Sequence, residues 1–179
     1  MPEGPKQGEK TPSKRLSKGL SKGLLEAPRF EDGKPMLLAG LRSYYTIATM
    51  GEIPGLWQRF VAYFGKVPRQ VGRVAYGVCF PLAEGFDYMA GVEVESSTGL
   101  PEELNVVTMP AERYAVFAHR GHVSKLQETC RAIEQEWLPK SRYSLGLGAP
   151  GAPGFFERYG ESFDPKVGVG DVEVWVPIR

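Results

Sequence analysis

Two successive stretches of this chain show the same order of predicted elements, and that repeat constrains the fold more than any other feature. Residues 36–47 form an apolar run typical of a strand, and residues 54–65 carry large apolar side chains at helical spacing. Residues 73–80 and 86–95 are rich in β-branched and aromatic residues and flank a turn, which predicts a hairpin. The first stretch is therefore predicted to fold as β-α-β-β.

The second stretch follows the same order. After a short predicted strand at residues 104–109, residues 113–119 alternate apolar and other side chains as a strand does. Apolar residues between positions 123 and 137 recur three or four apart, which predicts a helix. Residues 155–161 and 171–178 have the composition of a closing hairpin.

This repeat predicts an α+β fold with a duplicated β-α-β-β unit and pseudo-two-fold symmetry. Two such units joined edge to edge give an antiparallel sheet with both helices on one face. We expect the helix-free face to form a ligand cleft between the halves, because pockets favour such interfaces.

The beginning of the chain has a different composition. Residues 1–25 contain six Lys or Arg and two Glu, so their net charge is +4 while the whole chain carries +1. They are rich in Gly, Ser and Pro and contain no aromatic residue, which is typical of disorder. We therefore predict a basic, disordered tail over residues 1–35 and one domain over residues 36–179. The tail is too short for a helix-turn-helix domain, so direct DNA binding is not expected.

Several functional classes are not expected from the sequence. No apolar run approaches the ~20 residues that span a bilayer, and no secretory signal opens the chain, which predicts a cytoplasmic protein without a membrane segment. Cys79 and Cys130 are too few for a disulfide framework and are predicted to be buried, reduced thiols. His119 and His122 are the only histidines, too few for the ligand set of a zinc site, so no metal site is predicted. The sequence has no glycine-rich phosphate-binding loop, and no cofactor is predicted.

Aromatic residues recur beside glutamates along the predicted helices and hairpins. Glu157 lies in a predicted strand between Phe156 and Arg158, two residues before Tyr159. A carboxylate buried among aromatic rings needs a counter-charge, and a lipophilic cation offers both a charge and a surface for cation–π contact. The alternative is that these acids face solvent while the aromatic rings pack under the helices.

Several stretches together resemble one known family, the GyrI-like (gyrase-inhibitory-protein-like) small-molecule-binding domain. This family is also called the bacterial transcription-activator effector-binding domain. The resemblance rests on residues 88–94, 114–121, 126–139, 156–159 and 172–178, in that order. It covers the whole predicted domain and implies the same duplicated β-α-β-β fold.

The resemblance implies an aromatic-lined pocket between the halves, with an acidic residue at its base, that takes lipophilic cations. Glu157 matches the position of the pocket glutamate, and Tyr159 and Phe156 flank it. From their places on the first helix and strands, we expect pocket walls from Trp57, Tyr88 and Tyr45.

The function that follows is a stand-alone small-molecule-binding protein that senses or sequesters drugs or toxins. One alternative, which the resemblance to a branch of the family implies, is a hydrolase of electrophilic, cyclopropane-type toxins that uses Trp57 and Glu157. That activity needs a second acid or base, which the sequence does not identify, so an enzyme is not the expectation. Another alternative is a module that binds a protein partner, such as gyrase or a regulator.

Overall fold

Residues 25–179 of the computed structural model fold into eight strands and two α-helices. Residues 1–24, most of the predicted tail, lie outside the described residues. The elements are β1 (Arg29–Asp32), β2 (Met36–Tyr45), α1 (Ile53–Phe60), β3 (Gln70–Pro81), β4 (Phe86–Val94), β5 (Asn105–Met109), β6 (Arg113–His119), α2 (Leu126–Ala132), β7 (Phe156–Tyr159) and β8 (Val172–Pro177). The described residues contain no helix long and apolar enough to cross a membrane.

The strands form one antiparallel sheet in the order β1-β6-β8-β7-β3-β4-β2-β5. One half is β2-α1-β3-β4 and the other is β6-α2-β7-β8, and β3 pairs with β7 where the halves meet. Helix α1 packs on Ala39 and Tyr88, while α2 packs on Ala115 and Phe117, all on one face of the sheet. The predicted α+β duplication is therefore confirmed.

Helix α1 is shorter than predicted, whereas the second helical segment spans its predicted residues but is not α-helical throughout. Helix α1 ends at Phe60 and is followed by turns up to Gly65, whose positive φ of 78° stops a helix. The second helical segment changes its hydrogen bonding after α2, with a π-helical turn at Ile133–Trp137. That turn carries Trp137 to an edge-on contact with Phe117, with 5.0 Å between the ring centroids.

Strand β1 occupies residues that the composition placed in the tail. It pairs with β6, and the Arg29 guanidinium lies 2.7 Å from a carboxylate oxygen of Glu173 and over the ring of Trp175. The sequence Arg29–Asp32 has a single large apolar residue, so neither periodicity nor composition distinguishes it from a solvated segment. Long-range pairing with β6 and two ion pairs, Arg29 with Glu173 and Asp32 with Arg113, hold β1 in the sheet.

The sheet is strongly curled, as the link between β5 and β6 shows. These strands are six positions apart in the sheet, which would be about 29 Å in a flat arrangement. The residues at positions 110–112 alone connect them, and such a link spans at most ~14 Å. The two ends of the sheet must therefore approach each other.

The curl turns the helix-free face inward, and we call it the inner face; the helix-covered face is the outer face. The inner face is filled by an apolar core that includes Leu38, Tyr76, Val78, Phe80, Met89, Met109, Tyr114, Val116 and Phe156. The cleft that we expected on this face is therefore not there. The curl buries that face without any helix, which the order of elements alone does not reveal.

Candidate functional site

A glycine marks the centre of the outer face, where the two halves meet. Gly77 of β3 lies directly opposite Glu157 of β7. A Cβ atom at Gly77 would overlap the hydroxyl of Tyr88 and lie 2.6 Å from Oε2 of Glu157. Glycine thus provides the space in which these two side chains meet. The sequence interpretation missed Gly77, although a glycine within an apolar strand is a known sign of close approach.

Above Gly77, four side chains form a hydrogen-bonded group that we call the Glu157 cluster: Trp57, Tyr88, Glu157 and Tyr159. The hydroxyl of Tyr88 donates to Oε2 of Glu157 at 2.5 Å, and the hydroxyl of Tyr159 donates to the same oxygen at 2.8 Å. The indole N–H of Trp57 donates to the Tyr88 hydroxyl at 3.1 Å. The Trp57 ring also meets the Tyr159 ring edge-on, with 5.0 Å between centroids.

Strand alternation and helix packing explain why these side chains meet. Glu157 and Tyr159 are two residues apart in β7 and so project from the same face. Tyr88 projects from the outer face of β4 into the core under α1. Trp57 comes from α1 and packs against the cores of both halves, so it covers the junction between them.

Two residues predicted for the site lie elsewhere. Phe156 precedes Glu157 in the strand and therefore projects from the inner face, where it contacts the rings of Tyr114 and Trp175. Tyr45 lies on the outer face but packs in the core of the first half, with its ring 6.2 Å from that of Phe86. Neither residue hydrogen-bonds with the Glu157 cluster in the described part of the chain.

Glu157 is a deeply placed carboxylate that pairs with no cationic side chain among residues 25–179. Burial raises the pKa of Glu157, and the hydrogen bonds from Tyr88 and Tyr159 offset only part of that rise. Burial, followed by the charge of Glu157, raises the pKa of both tyrosines well above the usual range. Both hydroxyls therefore remain protonated donors at neutral pH.

The two cysteines lie on the same side of the sheet. Cys79 is directly opposite Tyr88 in the β3–β4 pair, and it is buried; Cys130 lies on α2 and is only half-buried. Both are free thiols, as predicted. Burial and then the charge of Glu157 raise the pKa of Cys79 to about 12, and the same two causes raise the pKa of Cys130. These are the conditions of poorly reactive thiols.

His119 has a structural position. Its Nδ1 lies 2.8 Å from the Thr129 hydroxyl of α2, and its Nε2 lies 3.1 Å from the carbonyl oxygen of His122. The ring is buried and links the end of β6 to α2. His122 instead caps the next turn, since its Nδ1 accepts a hydrogen bond from the backbone N–H of Ser124.

Comparison with known sequences gives one family. The family model described as GyrI-like small molecule binding domain matches residues 26–179. The transcriptional regulator BrlR of Pseudomonas aeruginosa is 32% identical over 141 residues, which are 75% of this chain and 49% of BrlR. The chain thus spans about half the length of this curated relative.

Solved structures share the fold. The structure of SAV2435 bound to tetraphenylphosphonium superposes with a TM-score of 0.66 at 23% identity, covering 86% of this chain and 94% of that one. The EcmrR C-terminal domain superposes with a TM-score of 0.61 at 13% identity, covering 87% of this chain and 98% of that one.

Proposed function

We propose, since this chain belongs to the family of GyrI-like small-molecule-binding domains, that its ligand is a lipophilic cation held at the Glu157 cluster. The observation that carries the proposal is a deep carboxylate that receives only neutral hydroxyl donors. Its charge is stabilised by Tyr88 and Tyr159 but has no counter-ion in the described residues.

A cation that reaches this carboxylate gains more attraction than it would in water, because the surrounding protein screens the two charges less. The rings of Trp57 and Tyr159 add faces and edges on which a cation with aromatic or alkyl substituents can pack. The likeness to SAV2435, whose structure contains tetraphenylphosphonium, supports this ligand class.

We infer that the Glu157 cluster opens further when a ligand binds. Two surface depressions of about 210 and 200 Å³ lie elsewhere, one on the exposed side of α2 and one beside the β3–β4 turn. Within the cluster, Tyr88 and Tyr159 are held by the sheet, whereas Trp57 lies on an eight-residue helix. We therefore assign the opening movement to Trp57, whose bond to Tyr88 breaks as the ligand takes its place.

The proposed role is binding without turnover, for sensing or sequestering drugs or toxins. The likeness to BrlR, a transcriptional regulator, supports a place in regulation. A hydrolase would need a second acid or base near the ligand, and Glu157 is the one carboxylate of the cluster. Incubation with an electrophilic ligand should therefore leave it chemically intact.

The test is the substitution Glu157→Gln, which keeps the shape of the side chain and an oxygen acceptor but removes the charge. Titration calorimetry should show tetraphenylphosphonium binding weakened by about 1–3 kcal/mol. Binding of the neutral triphenylphosphine oxide should change by no more than ~0.5 kcal/mol.

Glu134→Gln is the matched control, since Glu134 is exposed on the turn that follows α2. It removes the same charge from the second half of the chain, and surface charges are strongly screened. It should leave both affinities unchanged. Equal tetraphenylphosphonium affinities in wild type and Glu157→Gln would show that Glu157 is not the anchor.

A further inference from the structure

The two oxygens of the Glu157 carboxylate have different surroundings. Tyr88 and Tyr159 both donate to Oε2, and no group among residues 25–179 donates to Oε1. No fully buried side-chain oxygen or nitrogen of these residues lacks a hydrogen-bond partner, so Oε1 is not fully buried. The residue indeed retains partial exposure. One acceptor of the site is thus saturated by the protein and the other is open.

An open carboxylate oxygen distinguishes between cations of equal charge. In the free protein, water can donate to Oε1, and a ligand that fills the space displaces that water. A phosphonium or quaternary ammonium ion offers charge but no donor, so Oε1 is left without a hydrogen bond, which is unfavourable. A protonated amine replaces the lost bond with a charge-assisted one.

The arrangement also argues against a guanidinium ligand. A guanidinium ion gains its advantage from two parallel N–H donors that bind both oxygens of a carboxylate. At Glu157 one of those oxygens already accepts two hydrogen bonds from tyrosine hydroxyls, at 2.5 and 2.8 Å. A single N–H donor matches the one open oxygen.

We infer that the site selects protonated amines, which direct one N–H at Oε1 of Glu157, over cations of similar shape that have no N–H donor. This inference rests on the proposed function, because it assumes that the cation lies at the Glu157 cluster. It adds a chemical class to that function, a lipophilic tertiary or secondary amine with aromatic substituents.

The probe is a matched pair: diphenhydramine, a tertiary amine that is protonated at pH 7.5, and its N-methyl quaternary salt. Titration calorimetry of the wild-type chain should give about tenfold tighter binding for the amine. The advantage is less than that of a full charge-assisted bond, because the protonated amine also loses stronger hydration from water. This comparison uses one protein and does not depend on how any variant folds.

Glu157→Gln then tests the role of Oε1. Tyr88 and Tyr159 are donors, so they hold the amide oxygen at the position of Oε2 and leave the amide N–H2 group at the open position. A donor then faces the ligand, so the variant should lose the amine preference or reverse it. Glu134→Gln, the exposed control, should keep the tenfold preference. Thermal unfolding of each variant checks that it is folded.

The outcomes separate the two proposals. Equal wild-type affinities for amine and quaternary salt, both weakened by Glu157→Gln, would overturn the amine selectivity and leave the cation site standing. Affinities that Glu157→Gln leaves unchanged would overturn both proposals, as would no binding of either probe. An amine preference that survives in Glu157→Gln would place the acceptor on another residue.

Discussion

Two glutamates on neighbouring strands, Glu157 of β7 and Glu173 of β8, face opposite sides of the sheet. Each lies beside a tryptophan: Trp57 reaches Glu157 through Tyr88, and the indole N–H of Trp175 donates to Glu173 at 2.9 Å. Their partners differ in charge. Glu173 is ion-paired with Arg29 at 2.7 Å and with Arg158 at 3.7 Å, whereas Glu157 has hydroxyl donors only.

The difference in partners gives the two carboxyl groups opposite pKa shifts. Burial acts on both and by itself raises the pKa of each. At Glu173, the hydrogen bonds and charge of Arg29, with the bond from Trp175, outweigh burial and lower the pKa. At Glu157, the bonds from Tyr88 and Tyr159 do not outweigh it, and the pKa stays raised. A glutamate among aromatic rings is therefore a candidate cation anchor only where the protein has not already supplied the cation.

The largest effect is expected on the inner face, from Phe156→Ala. Phe156 is 2% exposed and packs between Tyr114 and Trp175, so the substitution opens a cavity in a filled core. We expect the free energy of unfolding to fall by about 3–5 kcal/mol in urea denaturation. Tetraphenylphosphonium binding by the folded variant should change by less than ~0.5 kcal/mol. Loss of tetraphenylphosphonium binding in a folded variant would show that Phe156 contributes to the site, and would contradict the assignment of binding to the outer face alone.

On the outer face, Gly77→Ala tests whether the close approach at the junction is required. The added Cβ conflicts with Tyr88 and Glu157, so we expect about 1–3 kcal/mol of destabilisation and weaker cation binding. Gly55→Ala is the control, because that position on α1 has open space around it. It should leave binding intact and stabilise the chain by about 0.5–1 kcal/mol. Normal cation binding by Gly77→Ala would show that the Tyr88–Glu157 contact is dispensable.

The pH dependence of stability should have opposite signs at the two glutamates. The pKa of Glu157 is higher in the folded chain than in the unfolded chain, so its protonated form stabilises the fold. This contribution to the free energy of unfolding is lost as pH rises from the ordinary carboxyl range through the raised pKa. The contribution of Glu173 is present above the ordinary range and is lost as pH falls through its lowered pKa. Urea unfolding should therefore be measured between pH 3 and 8. Relative to the wild type, the free energy of unfolding of Glu157→Gln should increase as pH rises, and that of Glu173→Gln should increase as pH falls. The same pH dependence of the free energy of unfolding in both variants would contradict the opposite pKa shifts of Glu157 and Glu173.

The smallest effect is the one that the charge of Glu157 has on the reactivity of the Cys79 thiol. With a pKa of about 12, roughly one thiol in 10,000 is ionised at pH 8. A thiolate-specific disulfide reagent should therefore react at least ~100-fold more slowly with the native chain than in denaturant, where two thiols react. Because the charge of Glu157 contributes to the raised pKa, Glu157→Gln should speed the native reaction and Glu173→Gln should not. Equal reaction rates of the native Glu157→Gln and Glu173→Gln variants would show that the charge of Glu157 does not affect the pKa of Cys79.

The elements of the fold could be predicted because their signals are local. Helical spacing and strand composition mark α1, α2 and the two hairpins without reference to distant residues. The curl of the sheet could not be predicted in this way, since it depends on which strand pairs with which across the whole chain. Strand β1 was missed for the same reason, because its pairing with β6 joins residues more than 80 positions apart.

The candidate site was predictable only in part. Strand alternation places Glu157 and Tyr159 on the same face of β7, so choosing one of them as a site residue predicts the other. The same alternation places their neighbour Phe156 on the opposite face. The cleft was expected on the helix-free face because the order of elements does not reveal the curl that fills this face with apolar side chains. Gly77 carries no chemistry of its own, and its importance is visible only when the side chains that pass over it are placed.

Strand β7 is only four residues long, yet it joins the two halves and carries Glu157. During synthesis from the N-terminus, Trp57 and Tyr88 are complete long before residue 156 is added, and until then β3 pairs on one side only. A half-formed sheet with an unpaired strand is prone to associate with other chains. The carboxylate and the strand that covers this edge of β3 therefore lie in the same four residues, so the chain acquires the charge of Glu157 together with the means to cover that edge.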